Sequence, residues 1–312
     1  MGNNDRPPNW PALQAFCRVV EQRSFTAAAR HLGLTGGAVS KLVAQLEADV
    51  GVQLLQRTTR SLQVTEAGQR FYGAAVRLQE DLHSALDDAR GSGASAAGRL
   101  RVAVPTSFAL MWLARQVPAF LQAHPQLTLD LDLNDRYVDL VAEGMDCAIR
   151  IATALPDSSL VARPLGAVQR VLVAAPGYLA SAPSLASPED LLQHACLIYT
   201  QTDSPGLWPL RGTRGGAPVQ VQGRLRVNNS VVLRDALLAG QGVTLTPRFV
   251  VHDLLASGAL VELLPGHRPA PLRIYGVVAQ QRHLPRKVQV FLDFVAQLLA
   301  ASGEFAAHET AQ

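Results

Sequence analysis

Four positions in one short stretch constrain the start of this chain more than anything else in it. In "RSFTAAARHLGLTGGAVSKLVAQLE", with Phe25 counted as one, Ala29 falls at five, Gly33 at nine and Val39 at fifteen. Two helices crossing closely at a tight turn need those residue types: a small one at the crossing, a permissive one in the turn, and a branched apolar one anchoring the second helix. Ser24 or Thr26 can cap the first helix, Ala28, Ala29 and Leu32 face inward, and Gly33 and Leu34 make the turn. Thr35 caps the second, whose inner stripe reads Val39, Leu42 and Leu46. Upstream, Leu13, Phe16, Cys17 and Val20 fall at i, i+3, i+4 and i+7 of another helix. A generic helical bundle shares that periodicity. The marked positions favour a helix-turn-helix over about 25–44.

Charge supports this. Residues 1–62 hold seven Lys/Arg against four Asp/Glu, while residues 63–312 hold twenty-one of each, so the whole net charge of +3 sits in the first fifth of the chain. Such asymmetry suits a polyanion-binding end; chance clustering on a solvated face is the alternative. "GVQLLQRTTRSLQVT" reads as a short strand pair, a wing whose Arg57, Thr59 and Arg60 can reach a phosphate backbone or minor groove. Gly36 and Gly37, just after the Thr35 cap, are poor helix formers, costing about 1 kcal/mol each against alanine in a helix interior. At a first turn that cost is softened, and the bare helix end lets its free N–H groups approach a phosphate or the groove floor. Base reading then falls to Ser40 and Lys41, with Thr26, Arg57 and Arg60 on phosphates.

Thr65 caps a long helix from Glu66 to about Arg90. Its Phe71, Ala75, Leu78, Leu82, Ala85 and Ala89 are spaced 4, 3, 4, 3, 4. That is a heptad seam, suited to a paired helix; an ordinary amphipathic helix is the alternative. "GSGASAAG" (Gly91–Gly98) reads as a flexible linker.

Beyond it, strand and helix patterns alternate. Leu100–Val104 is strand-like, followed by "PTSF" and an apolar helical pattern through Ala123; Leu127–Leu133 alternates as a strand, Val138–Glu143 suits a short helix, and Cys147–Ile151 is another strand. A second series begins near Arg170 and includes "CLIYT", "RVNNS", a helix to about Ala239 and "GVTLTP". A strand over Leu272–Val278 and a helix over Val288–Ala301 close the pattern. Two α/β lobes with largely parallel sheets are expected, with a ligand between them beyond the strands' carboxyl ends. Thr106 and Ser107, and Asn229 and Ser230, each end a strand and open a helix, offering hydroxyls and free N–H groups to a carboxylate or similar anion. Arg150 ends "CAIRI", where a guanidinium can clamp the same anion. The plainer roles are helix caps for the hydroxyls and salt bridges to Asp139 or Asp146 for the arginines.

The segments "SFTAAARHLGLT", "AVSKLVAQLEADVGVQLLQRTTRSLQVTEAG", "RLRVAVPTSF" and "DRYVDLVAEGMDCAIRIATALPDSSLVARPL" together make the chain resemble a LysR-type transcriptional regulator over its whole length. The resemblance implies an N-terminal all-α winged helix-turn-helix (1–64), a dimerising linker helix (65–90), a hinge (91–98) and a C-terminal α/β two-lobed, periplasmic-binding-protein-like effector domain (99–302). Lobe I is expected over about 99–165 and 270–302, lobe II over about 166–269, and a disordered tail over 303–312. The resemblance further implies dimers or tetramers on an interrupted dyad in double-stranded promoter DNA, a small-molecule effector, and RNA polymerase as a further partner. It places Arg136, Thr200, Thr246 and Phe249 around the cleft. Relatives commonly carry bulkier residues just after the helix cap, so Gly36 and Gly37 depart from the pattern.

Other classes find little support. The eight histidines are scattered, with no HExxH, GxSxG or GxxxxGK[ST], and no catalytic, metal or cofactor set stands out. The longest run free of Asp, Glu, Lys and Arg, Val171–Pro188, holds three prolines, which argues against a membrane span. "MGNNDRPPNWP" has no secretory pattern, and three separated cysteines fit a reducing cytosol; a Cys147–Cys196 redox switch is the alternative to buried thiols. The competing reading is a cytosolic small-molecule-binding protein or enzyme on a two-lobed α/β fold.

Overall fold

Helices α1 (Trp10–Gln22), α2 (Phe25–Leu32) and α3 (Gly36–Val50) form where the apolar spacing and caps require them. The computed structural model describes residues 9–57, 62–89, 96–155, 160–210, 217–280 and 284–305, and it falls into two units, Met1–Ser92 and Gly93–Gln312. Ser24 Oγ accepts the Ala27 N–H at 3.2 Å, so Ser24 rather than Thr26 caps α2. Gly33 ends that helix at φ 66°, the left-handed position that favours glycine. Thr35 Oγ1 accepts the Ala38 N–H at 3.2 Å and opens α3. Leu13, Phe16 and Cys17 of α1 bury against Ala28 and Ala29 of α2 and against Val39, Val43 and Leu46 of α3. Val43 replaces Leu42 in the expected stripe: Val39, Val43 and Leu46 fall at i, i+4 and i+7, and Leu42 is left half-buried on the flank.

The wing consists of β1 (Leu55–Arg57) antiparallel to β2 (Leu62–Val64), Leu55 facing Val64 and Arg57 facing Leu62. It leads into α4 (Glu66–Ala89). The first two positions of the expected seam are not open. Phe71 packs edge-on to Phe16 with ring centroids 5.6 Å apart, and Ala75 is 3% exposed in the same core. Farther along, Leu78 (55%) and Leu82 (40%) are exposed.

In the second unit, lobe I begins with β3 (Gly98–Val104), α5 (Thr106–Met111), α6 (Val117–Ala123), β4 (Leu127–Leu133), β5 (Cys147–Ala152) and β6 (Leu160–Val168). After Gln169 alone, the chain enters lobe II: β7 (Arg170–Ala174), α7 (Pro176–Leu179), β8 (Leu197–Tyr199), β9 (Leu207–Trp208), β10 (Val219–Gln220), β11 (Leu225–Val227), α8 (Ser230–Leu238), β12 (Val243–Pro247), α9 (Arg248–Ala256) and β13 (Val261–Leu263). It returns through β14 (Leu272–Ala279) and closes on α10 (Arg286–Ala301), whose Val288, Phe291, Leu292, Val295 and Leu299 are buried.

The lobe I sheet runs β4-β3-β5-β14-β6. In lobe II, β12-β7-β13 is joined to the parallel β11–β8 pair through a Cys196–Val243 bridge and a 2.6 Å bond from Thr244 Oγ1 to the Leu197 carbonyl. Both sheets share one plan: three parallel strands, then an antiparallel strand, then one antiparallel to that. The largely parallel expectation fails because β14 and β7, the strands that follow each passage from the other lobe, run opposite to their parallel neighbours.

Three further expectations are corrected. Residues 138–143 form a turn rather than a helix: Asp139 Oδ1 takes the N–H groups of Val141 and Ala142, and Gly144 at φ 68° stops the chain from winding on. The helical pattern to Ala123 is broken into α5, a 3-10 turn at Leu113–Arg115, and α6. The edges of the linker and tail are ordered. Ala96 lies in the lobe core and Gly98 already belongs to β3, while Phe305 is 1% exposed among Phe108, Trp112 and Phe249.

Candidate functional site

Two sites emerge, one in each unit. In the first, Thr26, Thr35, Gly36, Gly37 and Lys41 are exposed and Ser40 is half-buried. Gly37 and Lys41 lie one turn apart on α3, so they share a face. A Cβ built on Gly36 or Gly37 meets nothing within 4 Å, so nothing within the described chain requires glycine at either position. Thr59, Arg60 and the side chains of Arg57 and Ala85 lie outside the described residues.

The wing is held to α3 and α4 through Leu54. Glu47 Oε1 accepts the N–H groups of Leu54 (2.8 Å) and Leu55 (2.9 Å). The Leu54 carbonyl accepts the Thr65 N–H at 3.0 Å and shares the Thr65 hydroxyl proton with the Gln53 carbonyl. Thr65 Oγ1 also accepts the Gly68 N–H at 2.9 Å, capping α4 as its sequence position suggested. Gly68 is there for closeness: a Cβ at that residue would stand 2.1 Å from the Leu54 carbonyl oxygen. Glu47 and Gly68 were not singled out from the sequence, because their partners are backbone groups that side-chain patterns do not reveal.

In the second unit, a cavity of about 670 Å³ opens where the two lobes meet. Four of the expected residues line it: Ser107, Arg150, Ser230 and Phe249. Arg150 projects from β5 and is only 7% exposed; its Nη2 is buried without a partner. Its guanidinium carbon lies 5.4 Å from the centroid of the Tyr137 ring, a cation–π contact. Neither expected salt bridge forms, since Asp146 pairs with Lys287 at 2.8 Å and Asp139 caps the turn. Burial holds the Arg150 pKa below the ordinary guanidinium value, partly offset by nearby Tyr137 and Asp135.

The other five expected residues lie outside the lining. Thr106 gives its N–H to Asp135 Oδ1 at 3.1 Å, so the opening of α5 is already occupied by the chain's own carboxylate. Arg136 is exposed and makes a bidentate pair with Glu143, at 2.6 and 2.5 Å. Asn229 Oδ1 caps α8 on the Val231 N–H at 2.9 Å. Thr200 gives its N–H to the Val227 carbonyl, leaving its neighbours Tyr199 and Gln201 to face the cavity. Thr246 alternates with Leu245 and Pro247 on β12; those two line the cavity, and Thr246 turns to the opposite, buried face.

The sequence reading missed Asp135, Tyr137, Tyr199, Trp208 and Arg170. Arg170 stands where the chain first enters lobe II. Its Nη2 donates to the Ala270 carbonyl on the returning passage at 3.2 Å, its Nε is buried without a partner, and burial lowers its pKa to about 10. It remains a cation at neutral pH and links the two crossing segments. All three cysteines are buried and free, and burial pushes the Cys196 thiol to about 11, leaving little thiolate at neutral pH.

A family model described as "LysR substrate binding domain" matches residues 93–300, and one described as "Bacterial regulatory helix-turn-helix protein, lysR family" matches residues 10–69. The chain belongs to the LysR family of transcriptional regulators. Among relatives, the HTH-type transcriptional regulator PtxR of Pseudomonas aeruginosa is 37% identical over 287 residues, covering 92% of each chain. The solved structure of CrgA, a LysR-type transcriptional regulator from Neisseria meningitidis, is 30% identical, covers 94% of this chain and 99% of its own, and superposes with a TM-score of 0.59. Full-length AphB, the Vibrio cholerae virulence activator, is 29% identical, covers 93% and 99%, and gives a TM-score of 0.56. The relatives are regulators and not enzymes, so this LysR-family chain is a DNA-binding regulator with an effector-binding domain. Among the described residues, no helix is long and apolar enough to cross a membrane.

Proposed function

We propose that this regulator works in the cytoplasm as a homodimer or homotetramer on promoter DNA, and that a small carboxylate held between the lobes alters its action on RNA polymerase. The observation that carries the effector reading is Arg150, a buried cation in a cavity with no hydrogen bond or ion pair among the described residues. A buried charge without a hydrogen-bonding counter-ion is unfavourable, and a carboxylate relieves it with two parallel N–H···O bonds. Ser107 and Ser230, each 6% exposed on the cavity wall, add hydroxyls from the two lobes.

In this reading residues 1–64 hold DNA, 65–90 pair two chains, 91–98 act as a hinge, and 99–302 bind the effector. Ser40 and Lys41 read base edges, Gly36 and Gly37 let the helix end approach the groove, and Thr26, Thr35, Arg57, Thr59 and Arg60 hold the backbone. Leu78 and Leu82, exposed beyond the part of α4 that packs on its own domain, form the pairing surface.

The test takes the operator from nuclease protection of the neighbouring intergenic DNA and the effector from a carboxylate panel screened by melting shift. Arg150→Ala is expected to abolish the effector's influence on transcription while operator affinity stays within about twofold, a change of roughly 0.4 kcal/mol. An unchanged dose–response would remove Arg150 from the site.

A further inference from the structure

The cavity holds a second charge that a simple anion does not explain. Asp135 lines it together with Arg150. Its Oδ1 is fixed by the Thr106 N–H at 3.1 Å. Burial raises the Asp135 pKa, with the Thr106 bond and the Arg150 charge opposing, and its charge is also felt at Tyr199. Burial likewise disfavours the Arg150 cation. These two opposite charges sense each other in one cavity, yet no N–O approach between them falls within 4 Å.

The fold keeps them apart. Thr106 pins Asp135 at the start of α5, and Tyr137 lies against the guanidinium of Arg150 on β5. Arg150 is buried and Asp135 half-buried, and neither has a full counter-charge. A bare carboxylate would satisfy Arg150 while bringing a second negative charge towards Asp135. A molecule carrying a carboxylate and a protonated amine satisfies both. Elsewhere the wall is largely apolar, with Tyr199, Trp208, Leu245 and Phe249. The remaining charged lining groups do not substitute for this pair: Arg170 is engaged with the Ala270 carbonyl, Arg268 pairs with Glu262 at 2.7 Å, and Asp203 is exposed to solvent rather than held beside Arg150.

Building on the carboxylate reading above, we infer that the effector is an amino acid with an apolar side chain, its carboxylate on Arg150, its ammonium on Asp135, and its side chain against the aromatic wall. Asp135 is thus the residue that separates amino acids from the corresponding plain acids.

The experiment uses the full chain and follows melting temperature and calorimetric binding. Apolar L-amino acids are each compared with the acid lacking the amine, for example L-phenylalanine with 3-phenylpropanoate, and with the matching amine, 2-phenylethylamine. At least one amino acid should bind tenfold or more tighter than both counterparts. Asp135→Asn keeps an oxygen for the Thr106 N–H, so the start of α5 survives. It should cost that amino acid at least tenfold in affinity and leave the plain acid unchanged or tighter. Arg150→Gln should weaken both. The inference is overturned if no amino acid in the panel binds, if the plain acid binds as well as the amino acid, or if Asp135→Asn weakens both alike. Plain acids that bind as tightly as the amino acids and are lost in Arg150→Gln would overturn only the amino-acid inference. Ligands indifferent to Arg150→Gln would overturn the carboxylate reading as well.

Discussion

The two units place their functional residues in opposite ways. In the DNA-binding unit the proposed contacts come from one short stretch, Thr26 to Arg60, and those described are exposed or half-buried. In the effector unit they come from Asp135, Arg150, Tyr199, Trp208 and Phe249, separated by more than a hundred residues and assembled around a cavity. Polar bookkeeping differs too. In the first unit, Ser24, Thr35, Glu47 and Thr65 each find a backbone partner, so the polar groups complete the scaffold. In the second, the guanidiniums of Arg150 and Arg170 each keep a buried nitrogen without one. A surface that meets a polymer can be built locally on a satisfied frame. A cavity that meets a small molecule leaves selected charges unsatisfied, and the ligand completes them.

The sharpest way to break this contrast is to disturb the satisfied frame. Gly68→Ala would raise helix propensity by about 1 kcal/mol. The new Cβ, however, would stand 2.1 Å from the Leu54 oxygen, a backbone atom already tied to Thr65. Neither α4 nor the wing can yield without losing the Glu47 and Thr65 bonds. The net cost is expected at about 3 kcal/mol or more, the upper end of overpacking effects. Operator binding should disappear, while ligand-induced melting shifts of the effector unit persist. Gly36→Ala, in open space within the chain, should leave the melting temperature unchanged. A Gly68→Ala chain that melts and binds as the parent would mean that the Leu54 contact does not hold the wing.

A smaller effect is expected at the exposed stretch of α4. Leu78→Asp with Leu82→Asp puts like charges where two chains are proposed to pair, and neither side chain belongs to the core that Phe71 and Ala75 enter. The single chain should therefore keep its melting temperature and lose its partner, with operator affinity falling as the dimer does. Sedimentation velocity reads this directly. A double variant that sediments as the parent would show that the pairing surface lies elsewhere.

How much was legible follows from the same contrast. The helix-turn-helix could be read because caps, turn glycine and apolar stripe all act within a few residues; the one slip, Leu42 for Val43, is a one-residue shift of helical phase. In the expected seam, Phe71 and Ala75 turn to the domain's own core. Periodicity marks an apolar face but not its partner, and the domain's own Phe16 takes Phe71. In the effector unit the strand ends were legible and their side-chain directions were not. Thr246 fails because alternation along β12 sends it away from the cavity. Arg136 fails because Glu143, seven residues on, is folded back beside it by the 138–144 turn. Phe305 fell in the expected tail because its aromatic partners come from 108, 112 and 249, a cluster no local window contains.

The finest distinction concerns the mouth of α3. Lys41 is exposed one turn beyond Gly37, and its site carries no packing role. If it reads a base edge, Lys41→Ala should lose roughly 1–3 kcal/mol of discrimination between operator and scrambled DNA, with little change in non-specific affinity. Arg60→Ala should instead weaken both DNAs alike and flatten the salt dependence by about one unit, as loss of a phosphate contact does. Gly37 decides why the helix begins with two glycines. Because a side chain there meets open space within the chain, Gly37→Gln should leave the melting temperature unchanged. Any change it makes on DNA then reports on the interface alone: lower affinity means that the helix end approaches too closely for a side chain, and a new base preference means that it lies within reach of base edges. Titrations against both DNAs at several salt concentrations separate these outcomes. Equal losses on both DNAs for Lys41→Ala, together with a silent Gly37→Gln, would place sequence reading away from this end of α3 and leave the two glycines without a role at the interface.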